Sequence, residues 1–204
     1  SMRMMIKSFV GVGSELRNLS IKTGVSVKAL AGLQYAAEQN GASLGTIEMA
    51  IRGVARAMTG ATEEGEETSK AFTRIGLSLS DLQGLNPEQQ FLKIANAVAN
   101  VSDPMDRLTM ATTFFSRSGK DMLPMLSQSA GALQKLMEKG QKASGWTEAM
   151  ANLANELGVA FGSLKASTAG LINTLITQLA PTIKAVIEKI TDAVGLVRDW
   201  SAEH

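Results

Sequence analysis

The tripeptide Ser118-Gly119-Lys120 has the residue types that end a phosphate-binding loop. Such a loop follows a strand and has the form G-x-x-x-x-G-K-[ST], in which backbone N–H groups hold the phosphates and the last hydroxyl binds Mg²⁺. Phe114 occupies the position that requires the first glycine, and Asp121 stands where the hydroxyl residue is required. The pattern therefore predicts that no nucleotide binds at this segment.

The stretch from Ser118 to Asp121 also fits a helix start. The two residues have the spacing of a capping box, in which each side chain accepts a hydrogen bond from the backbone N–H of the other residue. This interpretation predicts that the helix containing Phe114 and Phe115 ends here, and that a new helix begins with Pro124 in or near its first turn. Its apolar residues are then core contacts: Met122, Leu123, Met125 and Leu126.

Four acidic side chains, Glu63, Glu64, Glu66 and Glu67, form a cluster that could be taken for a metal site. Consecutive carboxylates at a helix start diverge around its axis, and the spacing of a calcium-binding loop is absent. The helix dipole favours acidic residues in a first turn, so we predict a solvated helix start. With His204 as the only histidine and no cysteine, the sequence predicts no enzyme and no catalytic, cofactor-binding or metal-binding residue.

The composition indicates a core built from aliphatic and methionine side chains. Hydrophobic residues make up 45% of the chain, but aromatic residues only 4%. The formal net charge of +1 gives little electrostatic attraction to a polyanion. We therefore predict no sequence-specific nucleic-acid partner.

Helix ends and starts are marked along most of the chain by the pattern Gly-x-Ser/Thr. Glycine accepts the left-handed conformation that ends one helix, and the hydroxyl two residues later accepts the free N–H groups that open the next. The four pairs are Gly24 and Ser26, Gly41 and Ser43, Gly76 and Ser78, and Gly145 and Thr147. Asn86-Pro87 and Asp103-Pro104 add two starts with proline at the first helical position, and Gln89 and Asp106 stand where a side chain can reach back to the cap.

These signals predict an all-α protein: a compact multi-helix bundle followed by a long, Pro-interrupted C-terminal amphipathic helix. The predicted bundle helices are 4–22, 26–40, 43–59, 63–75, 86–101, 104–116, 120–128 and 130–143. Gly11 and Gly13 mark a place where the first helix could be interrupted. The predicted divisions are a helical lead-in at 1–17, a helical core domain at 18–145 and a long helical segment at 146–204.

The last segment carries a regular apolar stripe. From Leu153 to Val197 the apolar positions recur about every 3.67 residues, which is nearer to a straight helix than to a heptad coiled coil. Pro181 removes a backbone hydrogen bond and predicts a kink or break near Ala180. Because the segment has little chain of its own to cover the stripe, we predict that it self-associates or packs on a neighbouring chain.

Residues 166–183 contain no charged side chain and approach the length of a membrane-spanning helix. Several polar side chains dilute this stretch: Ser167, Thr168, Asn173, Thr174, Thr177, Gln178 and Thr182. The composition favours an amphipathic helix packed on a partner. A membrane-active helical protein that uses residues 159–200 is the alternative hypothesis.

Three segments, taken in order, resemble the core region of the tail tape measure proteins of long-tailed bacteriophages and prophages. They are "LSIKTGVSVKALAGLQYAAEQNGASLGTIEMAIRGVARAM", "AFTRIGLSLSDLQGLNPEQQFLKIANAVANVSD" and "FFSRSGKDMLPML". Members of the family carry a similar series, with a Thr-Gly-x-Ser helix start, a Pro-initiated helix and a Phe-Gly pair before a Leu-Leu-Pro-Leu-Leu segment. Here Phe115-Ser116 replaces the common Phe-Gly. The resemblance covers about residues 18–130.

The resemblance implies a structural role without catalytic residues. Proteins of this family set tail length, act as a scaffold for tube polymerisation together with tail assembly chaperones, and leave the tail ahead of the DNA. It implies a location in the tail lumen of the virion, and in the host cytoplasm during assembly. Such proteins can carry membrane-inserting segments, so for residues 159–200 the alternative becomes pore or channel formation during DNA ejection.

Overall fold

The computed structural model describes residues 2–63, 66–128, 131–165, 177–182 and 184–185. Regular secondary structure in these ranges is helical throughout, without a strand, which confirms the all-α class for this part of the chain. Up to Lys165 the α-helices are α1 Met2–Thr23, α2 Val27–Gln39, α3 Leu44–Glu63, α4 Glu66–Arg74, α5 Pro87–Ala99, α6 Pro104–Phe115, α7 Gly119–Leu126, α8 Ala132–Ser144 and α9 Glu148–Lys165. Each predicted bundle helix is present, and its ends lie within about four residues of the prediction, the usual scatter of helix boundaries.

Three of the four predicted Gly-x-Ser/Thr junctions open an α-helix as expected. The Ser26 hydroxyl accepts a hydrogen bond from the Ala29 N–H at 3.1 Å, and the Ser43 hydroxyl accepts one from the Thr46 N–H at 3.2 Å. Thr147 does the same for the start of α9, where its hydroxyl accepts from the backbone of Met150. The glycines that precede these hydroxyls all have positive φ, as a left-handed helix end requires.

The fourth junction opens only one 3₁₀ turn, Leu79–Asp81. Gly76 again has positive φ, at 73°, but the Asp81 carboxylate accepts hydrogen bonds from both the backbone N–H and the hydroxyl of Ser78, at 2.8 and 2.6 Å. These two hydrogen bonds lower the pKa of Asp81, because they favour its charged form. The next α-helix, α5, begins at the proline start, Pro87.

The two proline starts, at α5 and α6, differ in what the side chain of the third helical residue binds. At α5 the side chains of Asn86 and Gln89 each accept from the other's backbone N–H, at 2.9 and 3.1 Å, so the predicted capping box is present. At α6 Asp103 accepts from the Asp106 N–H at 2.8 Å. The Asp106 carboxylate instead accepts from the Arg74 guanidinium at 2.7 Å and joins α6 to α4.

The main core lies where α3, α5, α6 and α7 meet, with α2 and α8 packed beside them. Two aromatic pairs mark its centre: Phe72 with Phe114 at 4.8 Å between ring centroids, and Phe91 with Phe115 at 5.5 Å. All four rings are fully buried. Few aromatic residues therefore suffice, because those present are concentrated at one point and aliphatic side chains surround them.

Helix α9 packs antiparallel to α1 and forms a second, smaller core with it. Buried Ile6 and Phe9 of α1 meet Ala154 and Leu157 of α9; we call these four residues the α1–α9 cluster. The ring of Trp146 stacks on Phe9 at 5.1 Å. Helix α1 runs without interruption through Gly11 and Gly13. At Gly13 helix α9 lies so close that a Cβ atom would collide with Ala154.

Two polar contacts also tie α9 to the bundle. The Glu148 carboxylate accepts a hydrogen bond from the Val27 N–H at 2.7 Å, so it satisfies a free donor at the start of α2. Arg17 donates to the Asn152 side chain at 2.8 Å. The beginning of the segment predicted at 146–204 therefore lies against α1 and α2.

Two residues of the apolar stripe that the structure describes, Leu157 and Leu179, meet at the same small core. Leu179 packs against the α1–α9 cluster, whereas a straight helix would carry it about 33 Å beyond Leu157. Residues 177–182 are helical on both sides of Pro181, so the helix does not break at Ala180. The rest of the predicted long helix, 166–176, 183 and 186–204, lies outside the described residues.

Candidate functional site

The segment resembling a phosphate loop connects two helices inside the bundle. Helix α6 ends at Phe115, one 3₁₀ turn covers Ser116–Ser118, and α7 begins at Gly119. A Cβ atom on Gly119 would collide with the backbone of Ala111. This glycine therefore allows α6 and α7 to pack closely, and it is not part of an open loop around a ligand.

The predicted capping box at Ser118 is wrong. Ser118 already has helical backbone angles, φ −70° and ψ −17°, and makes no side-chain cap hydrogen bond. Its buried hydroxyl donates to the Phe115 carbonyl instead, because the 3₁₀ turn places that carbonyl one turn before it. Helix α7 begins at Gly119, one residue before the predicted start, and Pro124 lies in its second turn, near the first as predicted. The predicted core contacts are confirmed: Met122, Met125 and Leu126 are buried, and Leu123 packs against the core.

Ser116 is strained. Its φ of 60° and ψ of −151° fall in a region that essentially only glycine occupies. Among the described residues, every other residue with positive φ is a glycine. This turn sets the direction of α7 relative to α6 and follows directly on buried Phe115.

Replacing Ser116 by glycine is expected to stabilise the protein by about 1 kcal/mol, because release of the backbone strain outweighs the extra freedom of glycine in the unfolded chain. Urea unfolding measures the change. Ser127→Gly is the matched control, since Ser127 ends α7 with an ordinary φ of −84°. Equal effects of the two substitutions would show that Ser116 stores no strain.

Two adjoining clefts of 390 and 350 Å³ lie among α3, α4 and α6 and share Thr68 and Thr113. Hydroxyl and basic side chains dominate the rest of their polar lining: Arg56, Lys70, Arg74, Thr109, Thr112 and Ser116. The three α6 hydroxyls donate to carbonyls of their own helix, and Arg74 binds Asp106. These groups serve the bundle, and the described lining contains no activated nucleophile with a neighbouring base.

Glu88 and the acidic residues of the described chain add no chemical site to these clefts. Burial raises the pKa of Glu88, and the charge of Lys28 opposes that shift, but Glu88 stands at the start of α5 and outside both clefts. Within the described ranges no group of three or more His, Cys, Asp or Glu could hold a metal ion. Glu64 of the acidic cluster lies outside those ranges.

The membrane hypothesis depends on residues that are mostly outside the described chain. Of residues 166–183, the structure describes 177–182. Among the helices that are described, none combines the length and the apolar character needed to cross a bilayer.

At the segment that resembles a phosphate loop, the structure brings together residues that pack the helices against each other. Sequence reasoning missed one class of packing residues, the glycines inside helices that lie against a neighbouring helix: Gly13, Gly32, Gly53, Gly119 and Gly140. No protein-family model, curated protein or solved structure matches this chain.

Proposed function

We propose that this chain is a structural segment of a phage tail tape measure protein, which contributes to tail length determination and tail tube assembly and has no catalytic role. The observation that carries the proposal is that the three resembling segments supply the main core in order. The first provides Leu30, Leu33 and Ile47, the second Phe72, Phe91 and Ile94, and the third Phe114, Phe115 and Met122. The resemblance thus concerns residues that build a helical scaffold.

The partners follow from this role. Tail tube subunits and tail assembly chaperones would meet the helical surface in the host cytoplasm during assembly, and the tail lumen would hold the protein in the virion. Further copies of the chain are proposed partners through the C-terminal segment. No nucleotide or sequence-specific nucleic acid is part of the proposal.

A protein that measures length must be extended along the tail. A continuous helix rises about 1.5 Å per residue, so 204 residues span on the order of 300 Å and form only part of a ruler. The bundle would have to open to contribute its full length and would lose the burial of its aromatic centre. Extending α9 would remove less burial, because Ala154 and Leu157 lie in the small α1–α9 cluster and Ala151 is its contribution to the main core.

A 22-residue deletion within 147–180 of the parent protein is expected to shorten the tail by roughly 33 Å. Two 11-residue periods keep the apolar stripe aligned, so assembly can continue. Electron micrographs of intact tails measure the change. A 22-residue duplication of the same stretch is the control and should lengthen the tail equally. Tails of unchanged length in both variants would remove this segment from the ruler.

A further inference from the structure

The α1–α9 cluster is an apolar surface made by two helices. Besides Leu179, five partly buried side chains surround it: Val10, Trp146, Met150, Leu153 and Phe161. Two antiparallel helices bury the line along which they touch, but they leave a side of their shared apolar surface open. Residues outside these two helices also pack against the cluster, and Trp146 does so by stacking on Phe9.

Leu179 belongs to an element that covers part of the cluster. The leucine packs against the α1–α9 cluster from the helical segment 177–182. Leu179 and Ala180 are half-buried, while Gln178, Pro181 and Thr182 are exposed. The segment therefore meets the cluster along a narrow edge, so its release uncovers little apolar surface.

The sequence supports a second arrangement of the same residues. Leu157 and Leu179 lie in one apolar stripe that keeps the period of a straight helix between them. In a straight helix Leu179 would stand about 33 Å from Leu157, on the same face. Leu179 would then no longer cover the α1–α9 cluster, and it could not reach that cluster within its own chain.

We infer that two copies of the chain associate by exchanging this contact, so that Leu179 of each copy packs against the α1–α9 cluster of the other. Leu179 and the cluster residue Leu157 lie on one face of one stripe. An antiparallel two-fold pairing of two copies therefore forms both contacts at once. The exchanged contact repeats the one seen within the chain and requires no new complementary surface. This inference does not rest on the role in tails.

Cysteine cross-linking tests the exchange directly, since the chain contains no cysteine. One preparation carries Leu153→Cys, and a second preparation with a different tag carries Leu179→Cys. Oxidation of the mixture is expected to give a disulfide-linked dimer of the two, in a yield that rises with concentration. Val159→Cys replaces Leu153→Cys in the control, because Val159 is 63% exposed and lies about 200° around α9 from Leu157.

At least tenfold more mixed dimer with Leu153→Cys than with the control supports the exchange, and equal yields overturn it. Sedimentation adds a second measurement: the unmodified chain should dimerise at high concentration, and Leu179→Asp should remain a helical monomer by circular dichroism. An unmodified chain that stays monomeric at millimolar concentration, or a Leu179→Asp chain that still dimerises, also overturns the inference.

Discussion

Replacing Gly53 by alanine is expected to lower the free energy of unfolding by about 3 kcal/mol, at the upper end of the range for overpacked cores. A Cβ atom on Gly53 would lie 2.6 Å from the Phe114 carbonyl oxygen and 2.8 to 2.9 Å from the backbone of Phe115. Backbone atoms cannot turn aside as the end of a side chain can. Helices α3 and α6 would have to separate, at the point where the aromatic rings of Phe114 and Phe115 pack.

Gly60→Ala is the control on the same helix. Its Cβ atom would have only the Thr68 hydroxyl within reach, at an ordinary contact distance of 3.5 Å. Alanine is the better helix former, so we expect an increase in the free energy of unfolding of up to about 1 kcal/mol. Urea unfolding compares the two variants, and a stable Gly53→Ala protein would show that α3 and α6 do not pack this closely.

The two kinds of glycine explain how far the sequence could be interpreted. Gly24, Gly41 and Gly145 could be assigned because a glycine with positive φ and a hydroxyl two residues later act within a few residues of each other. Gly53 and Gly119 act on residues of other helices, and nothing in their local sequence distinguishes them from helix ends. Close helix packing is a tertiary property, so the local pattern could not reveal it.

The connection between α6 and α7 shows the same limit in another form. The spacing of Ser118 and Asp121 satisfies a capping box, but the chain forms a 3₁₀ turn first. That turn uses the strained backbone of Ser116 and keeps Phe114 and Phe115 in the core. Burial of two aromatic rings, which contributes several kcal/mol, outweighs a cap that contributes about 1 kcal/mol.

The apolar stripe remains a prediction over most of its length, because the structure describes only part of it, and one of its described residues, Leu179, packs against the α1–α9 cluster. Periodicity specifies which face of a helix is apolar and does not specify where the helix turns. The contact of Leu179 with the α1–α9 cluster depends on residues at the other end of the chain, Ile6 and Phe9. The sequence therefore predicts that the stripe must be covered, whereas only the structure identifies what covers it.

Gly13→Ala is expected to detach α9 from α1 and lower the free energy of opening α9 by about 2 kcal/mol. A Cβ atom on Gly13 would collide with the Ala154 Cβ and come within 2.8 Å of the Trp146 ring. The four residues of the α1–α9 cluster make a small core, while the main core keeps its aromatic pairs. Opening should therefore remain local.

Hydrogen exchange measures this effect: amides of α9 should lose protection in Gly13→Ala, and amides of α3 and α6 should keep theirs. The emission of Trp146 should shift to longer wavelength, in a Trp200→Phe background that removes the second tryptophan. Gly11→Ala is the matched control two residues away, because a Cβ atom there would meet nothing within 4 Å. That variant should be as stable as the parent chain or slightly more stable. Equal loss of protection in all helices of Gly13→Ala would show instead that both cores unfold as one unit, and that α9 cannot extend while the bundle stays folded.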